Sequence, residues 1–458
     1  MDEILPGLQK MRAFFDEHHS FGYDFRREQL LKLKHAILQH EHDLHEALHT
    51  DLKKSPEESW VTETGFLMVE INHALKNLKH WMKPEKVGTN LLNFPSRSYI
   101  YKEPLGVVLI IGPWNYPLQL LLNPLIGAFA AGNCAVLKPS EFAPATAAVI
   151  KKIIEENYDP AYIKIVEGDG ATVIPAMMNG FRFNHVFYTG GTEVGRKIYE
   201  MAAQKLVPVT LELGGKSPCI IEEDANIKIA AKRIALTKFS NAGQMCVAPD
   251  YLLVHEKIKA PFLEALKESL LKFYSAEADK VEHFGKIINL KQYRRLEKML
   301  ENGKVLYGGK KDEASLFIEP TILENVSVEE AVMGEEIFGP ILPVIGFNSF
   351  EEAKNIISRN PEPLAFYVFT NDASKEKQWL EQVPFGGGCV NNASWHLTNV
   401  KLPFGGRGNS GMGAYHGRFS FNVFSHRKAV MKTPTWFDPS IKYPPFKGKL
   451  NLFKKVIR

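Results

Sequence analysis

Along the first fifty residues apolar side chains recur at helical spacing. Leu30, Leu33, Ile37, Leu44 and Leu48 fall on one stripe, which predicts helices with that stripe turned inward. Residues 84–102, ending in SRSYIYKEP, are short, proline-bounded and alternating, the pattern of a β-hairpin arm outside a main sheet. After them apolar runs alternate with amphipathic stretches. Predicted strands are Val107–Ile111, Cys134–Lys138, Ile163–Val166, His185–Tyr188 and Val209–Glu212; predicted helices between them are Leu118–Ala131, Pro144–Asn157, Ala171–Met178 and Glu193–Gln204. Such βαβ units build a parallel sheet covered on both faces, which binds ligands beyond the carboxyl ends of its strands. The pattern then restarts, with strands at Cys219–Ile221, Tyr251–His255, Ile341–Val344 and Phe366–Phe369 and helices near Ile227–Ser240, Ala260–Phe273, Phe350–Ile357 and Ser374–Gln382. The expected fold class is α/β: two successive parallel-sheet domains, the first Rossmann-like, plus the small hairpin arm. The boundaries predicted are 1–83 with 103–211, then 212–400, an arm of 84–102 with 418–440, and a tail of 441–458.

Residues 106–137 carry no charge, a length that would suit a membrane span. Pro113, Pro117 and Pro124, with Asn115, Gln119, Asn123 and Asn133, would leave a spanning helix without several backbone hydrogen bonds. The run is therefore expected as strand, turn, buried helix, turn and strand. His35, His40, His42, His45 and His49 invite a metal-site reading. No cysteine or HExxH motif accompanies them, and a solvated polar face is expected instead, with no metal.

Composition narrows the function classes. The 458 residues are 45% hydrophobic and 24% charged, which is globular usage. A net charge of +4 on so long a chain gives no reason to expect nucleic acid. Cys134, Cys219, Cys246 and Cys389 stand singly, which excludes a disulfide scaffold and points to the reducing cytoplasm. The N-terminus MDEILPGLQKMRAFF lacks the pattern of a secretory leader. From Lys442 onward there are six basic residues and no acids, with Leu450, Phe453 and Ile457 on one helix face. Such an end suits weak contact with an anionic membrane surface, placing the protein peripheral to it, and equally suits packing on a partner subunit.

Candidate chemistry sits in a few segments. LGGKSP at 213–218 resembles the end of a phosphate-binding P-loop, but Thr210 occupies the position that needs glycine. FYTGGTEVGRKIY follows a strand and opens a helix, so that Gly190, Gly191 and Gly195 let backbone amides approach a pyrophosphate; a plain tight turn explains the segment as well. Lys138 and Glu141, at the carboxyl end of a strand, suit the hydroxyls of an adenosine ribose, though a solvated turn has the same composition. In FSNAGQMCVAPDY, Cys246 lies in a small-residue loop after a predicted helix, where a thiolate can be exposed. The other three cysteines have apolar, strand-like surroundings and are expected to be inert.

PWNYP (113–117), KPSE (138–141), the Gly190–Gly195 turn, LELGGKSP (211–218), GQMC (243–246), EEIFGP (335–340) and LPFGGRGNSGMGAYHG (402–417) occur in order. Together they resemble the aldehyde dehydrogenases over essentially the whole chain. PWNYP, CVAPDY, GMGAYHGRFSFNVFSH and KYPP are similar to the class 3 branch, which takes fatty and aromatic aldehydes. The resemblance implies oxidation of medium- or long-chain aliphatic or aromatic aldehydes to carboxylic acids with NAD(P), through a thiohemiacetal and a thioester. It makes the first domain the cofactor domain and the second the catalytic one. It implies Cys246 as nucleophile, Glu212 as general base, and Asn115 with the Cys246 N–H as oxyanion hole. It gives Lys138 and Glu141 to the adenosine ribose, Gly190 and Gly191 to the pyrophosphate, Glu336 to the nicotinamide ribose and Phe338 to the lining of that site. Met245 is expected to shape the substrate tunnel. A carboxylate at 141 repels a 2′-phosphate, which favours NAD, with NADP also accepted. A homodimer is implied, paired through the hairpin and C-terminal strands. Three competing readings are a CoA-acylating dehydrogenase, a non-catalytic nucleotide-binding protein and a cofactor-free cysteine hydrolase; the presence of both Cys246 and Glu212 counts against the first two, and the glycine turn against the third.

Overall fold

The computed structural model describes residues 4–274 and 284–457. Helices Ile4–Asp16, Tyr23–Gln39, Glu41–Leu52 and Gly65–Trp81 form the N-terminal layer, and Leu30, Leu33, Ile37, Leu44 and Leu48 are all fully buried in it. The strands, in chain order, begin with β1 (Glu85–Val87), β2 (Arg97–Pro104), β3 (Val107–Ile111), β4 (Cys134–Lys138), β5 (Ile163–Ile165), β6 (His185–Thr189) and β7 (Val209–Glu212). Next are β8 (Pro218–Ile221), β9 (Tyr251–His255), β10 (Lys304–Tyr307), β11 (Lys311–Asp312), β12 (Phe317–Ile318), β13 (Thr321–Glu324) and β14 (Ile341–Phe347). The last are β15 (Ala365–Phe369), β16 (Gly387–Val390), β17 (Gly411–Met412) and β18 (Ser425–Lys432).

The first large sheet runs β17-β7-β6-β3-β4-β5, parallel except for β17. Its strand order reverses at β3, whose neighbours are β4 and β6, and this switch point opens a crevice at the carboxyl ends of the strands. Strands β3 and β4 are buried at every position, as expected of a sheet covered on both faces. The second sheet runs β10-β13-β14-β9-β8-β15-β16, with only β10 antiparallel. A three-stranded antiparallel sheet, β1-β2-β18, joins residues 85–104 to residues 425–432. The helix Gly417–Val423 packs on Gln119–Ala131, where Ser420 touches Gly127.

The uncharged run at 106–137 is β3, a turn, the fully buried helix Gln119–Ala131, and β4. Among the described residues no helix is long and apolar enough to cross a membrane. The histidine stretch is not uniformly solvated. His42 is exposed, but His40 is buried and faces Asp43 at 3.3 Å and Glu156 at 3.4 Å. Short elements escaped the periodicity. Strands β10 and β13 are only four residues long, and β16 is the small-residue run GGCV.

Candidate active site

The loop carrying Cys246 owes its shape to an unusual turn. The helix Ile227–Phe239 ends, and Asn241, Ala242 and Gly243 then take φ of +50°, +52° and +73°. Left-handed backbone is costly for residues with a Cβ and persists only when the surroundings over-determine it. Here they do. Glu58 accepts from the Asn241 N–H at 2.9 Å and from Ser240 Oγ at 3.2 Å. Asn241 Nδ2 donates to the Asn115 carbonyl at 2.9 Å, and Gln244 Nε2 donates to the carbonyls of Asn241 and Lys286. A Cβ on Gly243 would lie 2.2 Å from the Gly339 carbonyl oxygen, so the GQMC and EEIFGP loops touch at the one residue that permits it.

Asn115 enters from the turn after β3. Its Nδ2 donates to the Gln244 carbonyl at 3.1 Å, which fixes the amide and leaves its second proton for another acceptor. Glu212 ends β7, where its backbone carbonyl accepts from the Gly190 N–H. Its carboxylate is 2% exposed, and neither oxygen has a hydrogen-bond partner among the described residues. Burial holds its pKa well above the usual carboxylate range. Burial also pushes the Cys246 thiol up, helped by Glu336 and Glu212 and opposed by the N–H groups of Cys246 and Val247. Cys246 is nonetheless only half-buried and faces the cavity, as its loop position predicts, while its surroundings favour the thiol over the thiolate. Asn115 thus bonds the residue two before Cys246, and Glu212 lies near enough to act on its thiol.

Cys246 opens on a cavity of about 220 Å³. Phe66, Tyr116, Leu236, Trp395, Phe404 and Tyr415 line it, and Met245 is on its wall, where the sequence places it. Cys134 and Cys219 are buried, whereas Cys389 is half-buried with its Sγ 3.6 Å from His396 Nδ1, so it is not a plain core residue.

The second cluster lies at the carboxyl ends of β4 and β6. Lys138 Nζ donates to Glu141 at 3.0 Å and to the Pro139 carbonyl at 2.7 Å. Burial works to raise the Glu141 pKa, but hydrogen bonds from the Gly170 N–H and Lys138 outweigh it and hold the carboxyl low. Gly191 sits before the helix Thr192–Ala203, whose first turn has no side-chain cap, and a Cβ there would meet nothing within 4 Å. Gly195 serves packing: its Cβ would lie 2.7 Å from Leu213, so the helix can rest on the strand only through glycine.

Glu336 stands near enough to Cys246 to act on its thiol. It packs so closely on Gly214 that a Cβ there would lie 2.0 Å from its carboxylate, which explains the glycine in LELGG. Burial, with Asp250 nearby, raises its pKa to about 8. Asp250 accepts from the Ile337 N–H at 3.0 Å and from Lys216 at 2.5 Å, while Arg295 donates to the Glu336 carbonyl at 3.2 Å. Phe338, at φ +50°, meets Trp114 edge to face at 5.3 Å. Lys216, Asp250 and Arg295 were not singled out from the sequence; KSP and APD hold the first two, and only the fold shows that they meet.

These features fit a dinucleotide. The uncapped amides of a helix beside an open glycine suit a pyrophosphate, and the ionised Glu141 suits ribose hydroxyls. Lys138, Glu141, Gly191 and Glu336 would hold it.

The model of the aldehyde dehydrogenase family matches residues 6–430. A 4,4'-diaponeurosporen-aldehyde dehydrogenase of Staphylococcus aureus is 46% identical, over all of both chains. A dimeric, NADP-preferring aldehyde dehydrogenase of the dog is 40% identical, over 98% of this chain and 99% of its own. Among solved structures, the substrate-bound state of Staphylococcus aureus AldH superposes with a TM-score of 0.98 at 45% identity, covering 100% of each chain.

Proposed function

The chain belongs to the aldehyde dehydrogenase family and is an NAD(P)-dependent oxidoreductase acting on aldehydes, and from that premise we propose which residues carry the reaction and which aldehydes enter. The observation that carries the reading is Cys246 opening on an aromatic-lined cavity, with the buried, unpartnered carboxylate of Glu212 near enough to act on its thiol. Glu212, in its ionised form, takes the thiol proton. Cys246 Sγ then bonds to the aldehyde carbon, and the carbonyl oxygen becomes an oxyanion held by the free amide proton of Asn115 and the Cys246 N–H. NAD(P), when bound, would supply the acceptor for the hydride that leaves the substrate carbon. What remains on Cys246 is a thioester. Glu212, having passed the thiol proton to solvent, next takes a proton from water as the water oxygen bonds to the acyl carbon. The C–S bond breaks, the acid leaves, and the sulfur takes the proton back from Glu212, which restores the Cys246 thiol and the carboxylate.

Glu212 supports hydrolysis over transfer of the acyl group to CoA, since a base at the thioester serves water. Lining residues such as Phe66, Trp395 and Phe404 support apolar substrates, medium- or long-chain aliphatic or aromatic. The Staphylococcus aureus relative, named a 4,4'-diaponeurosporen-aldehyde dehydrogenase, supports an aldehyde substrate. For the cofactor, the ionised Glu141 supports NAD, while the NADP-preferring relative supports acceptance of both. A homodimer is supported by that relative's dimeric name and by β18, an exposed strand at the edge of its sheet. The basic tail with exposed Leu450, Leu452 and Ile457 supports weak, peripheral contact of a cytoplasmic protein with an anionic bilayer.

The test is formation of reduced nicotinamide with a ladder of aliphatic and aromatic aldehydes, with NAD and NADP in parallel. The expected outcome is kcat/KM rising with chain length. Turnover confined to short polar aldehydes would overturn the substrate class, and acyl-CoA formation on adding CoA would overturn hydrolysis.

A further inference from the structure

A short N-terminal segment grips both loops that build the thiol chamber. Residues Pro56–Ser59 are helical, and Trp60–Thr64 continue as a single π-helical turn, a local widening that often marks functional sites. Glu58 holds the left-handed turn before Cys246 through the Asn241 N–H and Ser240 Oγ. Glu63, fully buried, accepts from the N–H groups of Leu118 and Gln119 at 3.0 Å and 2.9 Å, in the loop just after Asn115. Its other oxygen meets Lys54 Nζ at 2.7 Å. Lys54 is also fully buried, donates to the Asn115 carbonyl at 3.1 Å, and lies over the Tyr116 ring at 3.9 Å. The segment also reaches the cavity, with Val61 and Thr62 on its wall.

Burying an ion pair gains little stability over an apolar pair of the same size, so its retention calls for another reason. This pair is spent on one short stretch of backbone, residues 115–119, while Glu58 on the same segment fixes residues 240–241. We propose that Lys54 and Glu63 are positioning residues, which set the Asn115 amide against the Cys246 loop so that its free proton meets the oxyanion. The inference rests on the oxyanion role of Asn115 given above. A donor displaced by about 1 Å forfeits up to roughly a hundredfold in rate, so the pair acts on kcat.

The test is a double-mutant cycle in the full-length enzyme, with hexanal and NAD(P), on Lys54→Met, Asn115→Ala and the two combined. Each variant is also assayed for cofactor affinity and for alkylation of Cys246 by iodoacetamide, a reaction that forms no oxyanion. The expected result for Lys54→Met is a kcat lower by about tenfold or more, with KM, cofactor affinity and alkylation rate within about twofold of the parent. In the Asn115→Ala background the same change costs less than about twofold, because the donor it positions is gone. An unchanged kcat in Lys54→Met, a full further loss in the Asn115→Ala background, or alkylation falling in step with kcat overturns the inference. If Asn115→Ala itself keeps the parent kcat, the oxyanion reading fails and the inference falls with it; if only Lys54→Met is silent, the inference alone fails. Should Lys54→Met not fold, Lys54→Met/Glu63→Leu, which removes both charges, is read against the same outcomes.

Discussion

Glu141, in the turn after β4, and Glu212, at the end of β7, lie beyond the carboxyl ends of two strands of one sheet and live in opposite electrostatic worlds. Glu141 is partly exposed, receives an N–H from Gly170 and an ammonium from Lys138, and is held ionised. Glu212 is buried with no partner on either oxygen and is pushed toward its neutral form. The same side chain is thus a fixed charge in one place and a movable proton in the other. A ribose contact needs a steady acceptor, whereas a base for thiol and water needs a pKa raised toward working pH. Glu336 extends the comparison. With its pKa raised by burial to about 8, it behaves like Glu212 despite its assignment to a ribose.

Removing the movable proton is the largest way to break this contrast. Glu212→Gln is expected to slow acid release by roughly 10²–10⁴-fold, the usual range for a lost general base, while a first burst of reduced nicotinamide survives. The pH profile sharpens the point. In the parent, release rises with pH as Glu212 ionises, at a pH above the ordinary carboxylate range because burial favours the neutral form. The variant should lose that limb, and an unchanged steady-state rate would remove Glu212 from the mechanism.

Removing the fixed charge has a smaller effect of a different kind. Glu141→Ala should leave kcat alone and lower the ratio of kcat/KM for NAD to that for NADP by roughly tenfold, the scale of one charge repulsion near a surface. Measured ratios that do not move would contradict a ribose contact at Glu141.

Much of this was legible in the sequence, for identifiable reasons. Val107–Ile111, Cys134–Lys138 and Val209–Glu212 are buried apolar strands bounded by turn residues, and their predicted limits match the structure. The motifs placed Cys246, Glu212 and Asn115 in separate segments, and the fold brings those segments together. The thiol's electrostatics were not legible, because they arise first from burial and then from Glu336 and Glu212, which only the fold brings near. Nor was the grip of Lys54 and Glu63, since a buried ion pair leaves no period and no motif, only one charge in the loop after Glu41–Leu52 and one in the turn Trp60–Thr64. The glycines of β16 and the four-residue lengths of β10 and β13 hid those strands of the second sheet.

The central claim is that Cys246 carries the substrate while other residues hold the cofactor. It is tested most directly by mixing Cys246→Ala rapidly with hexanal and NAD(P), following reduced nicotinamide and measuring cofactor affinity in the same preparation. The account predicts no reduced nicotinamide, not even a single turnover, with cofactor affinity within about twofold of the parent. Oxidation continuing in that variant would contradict it.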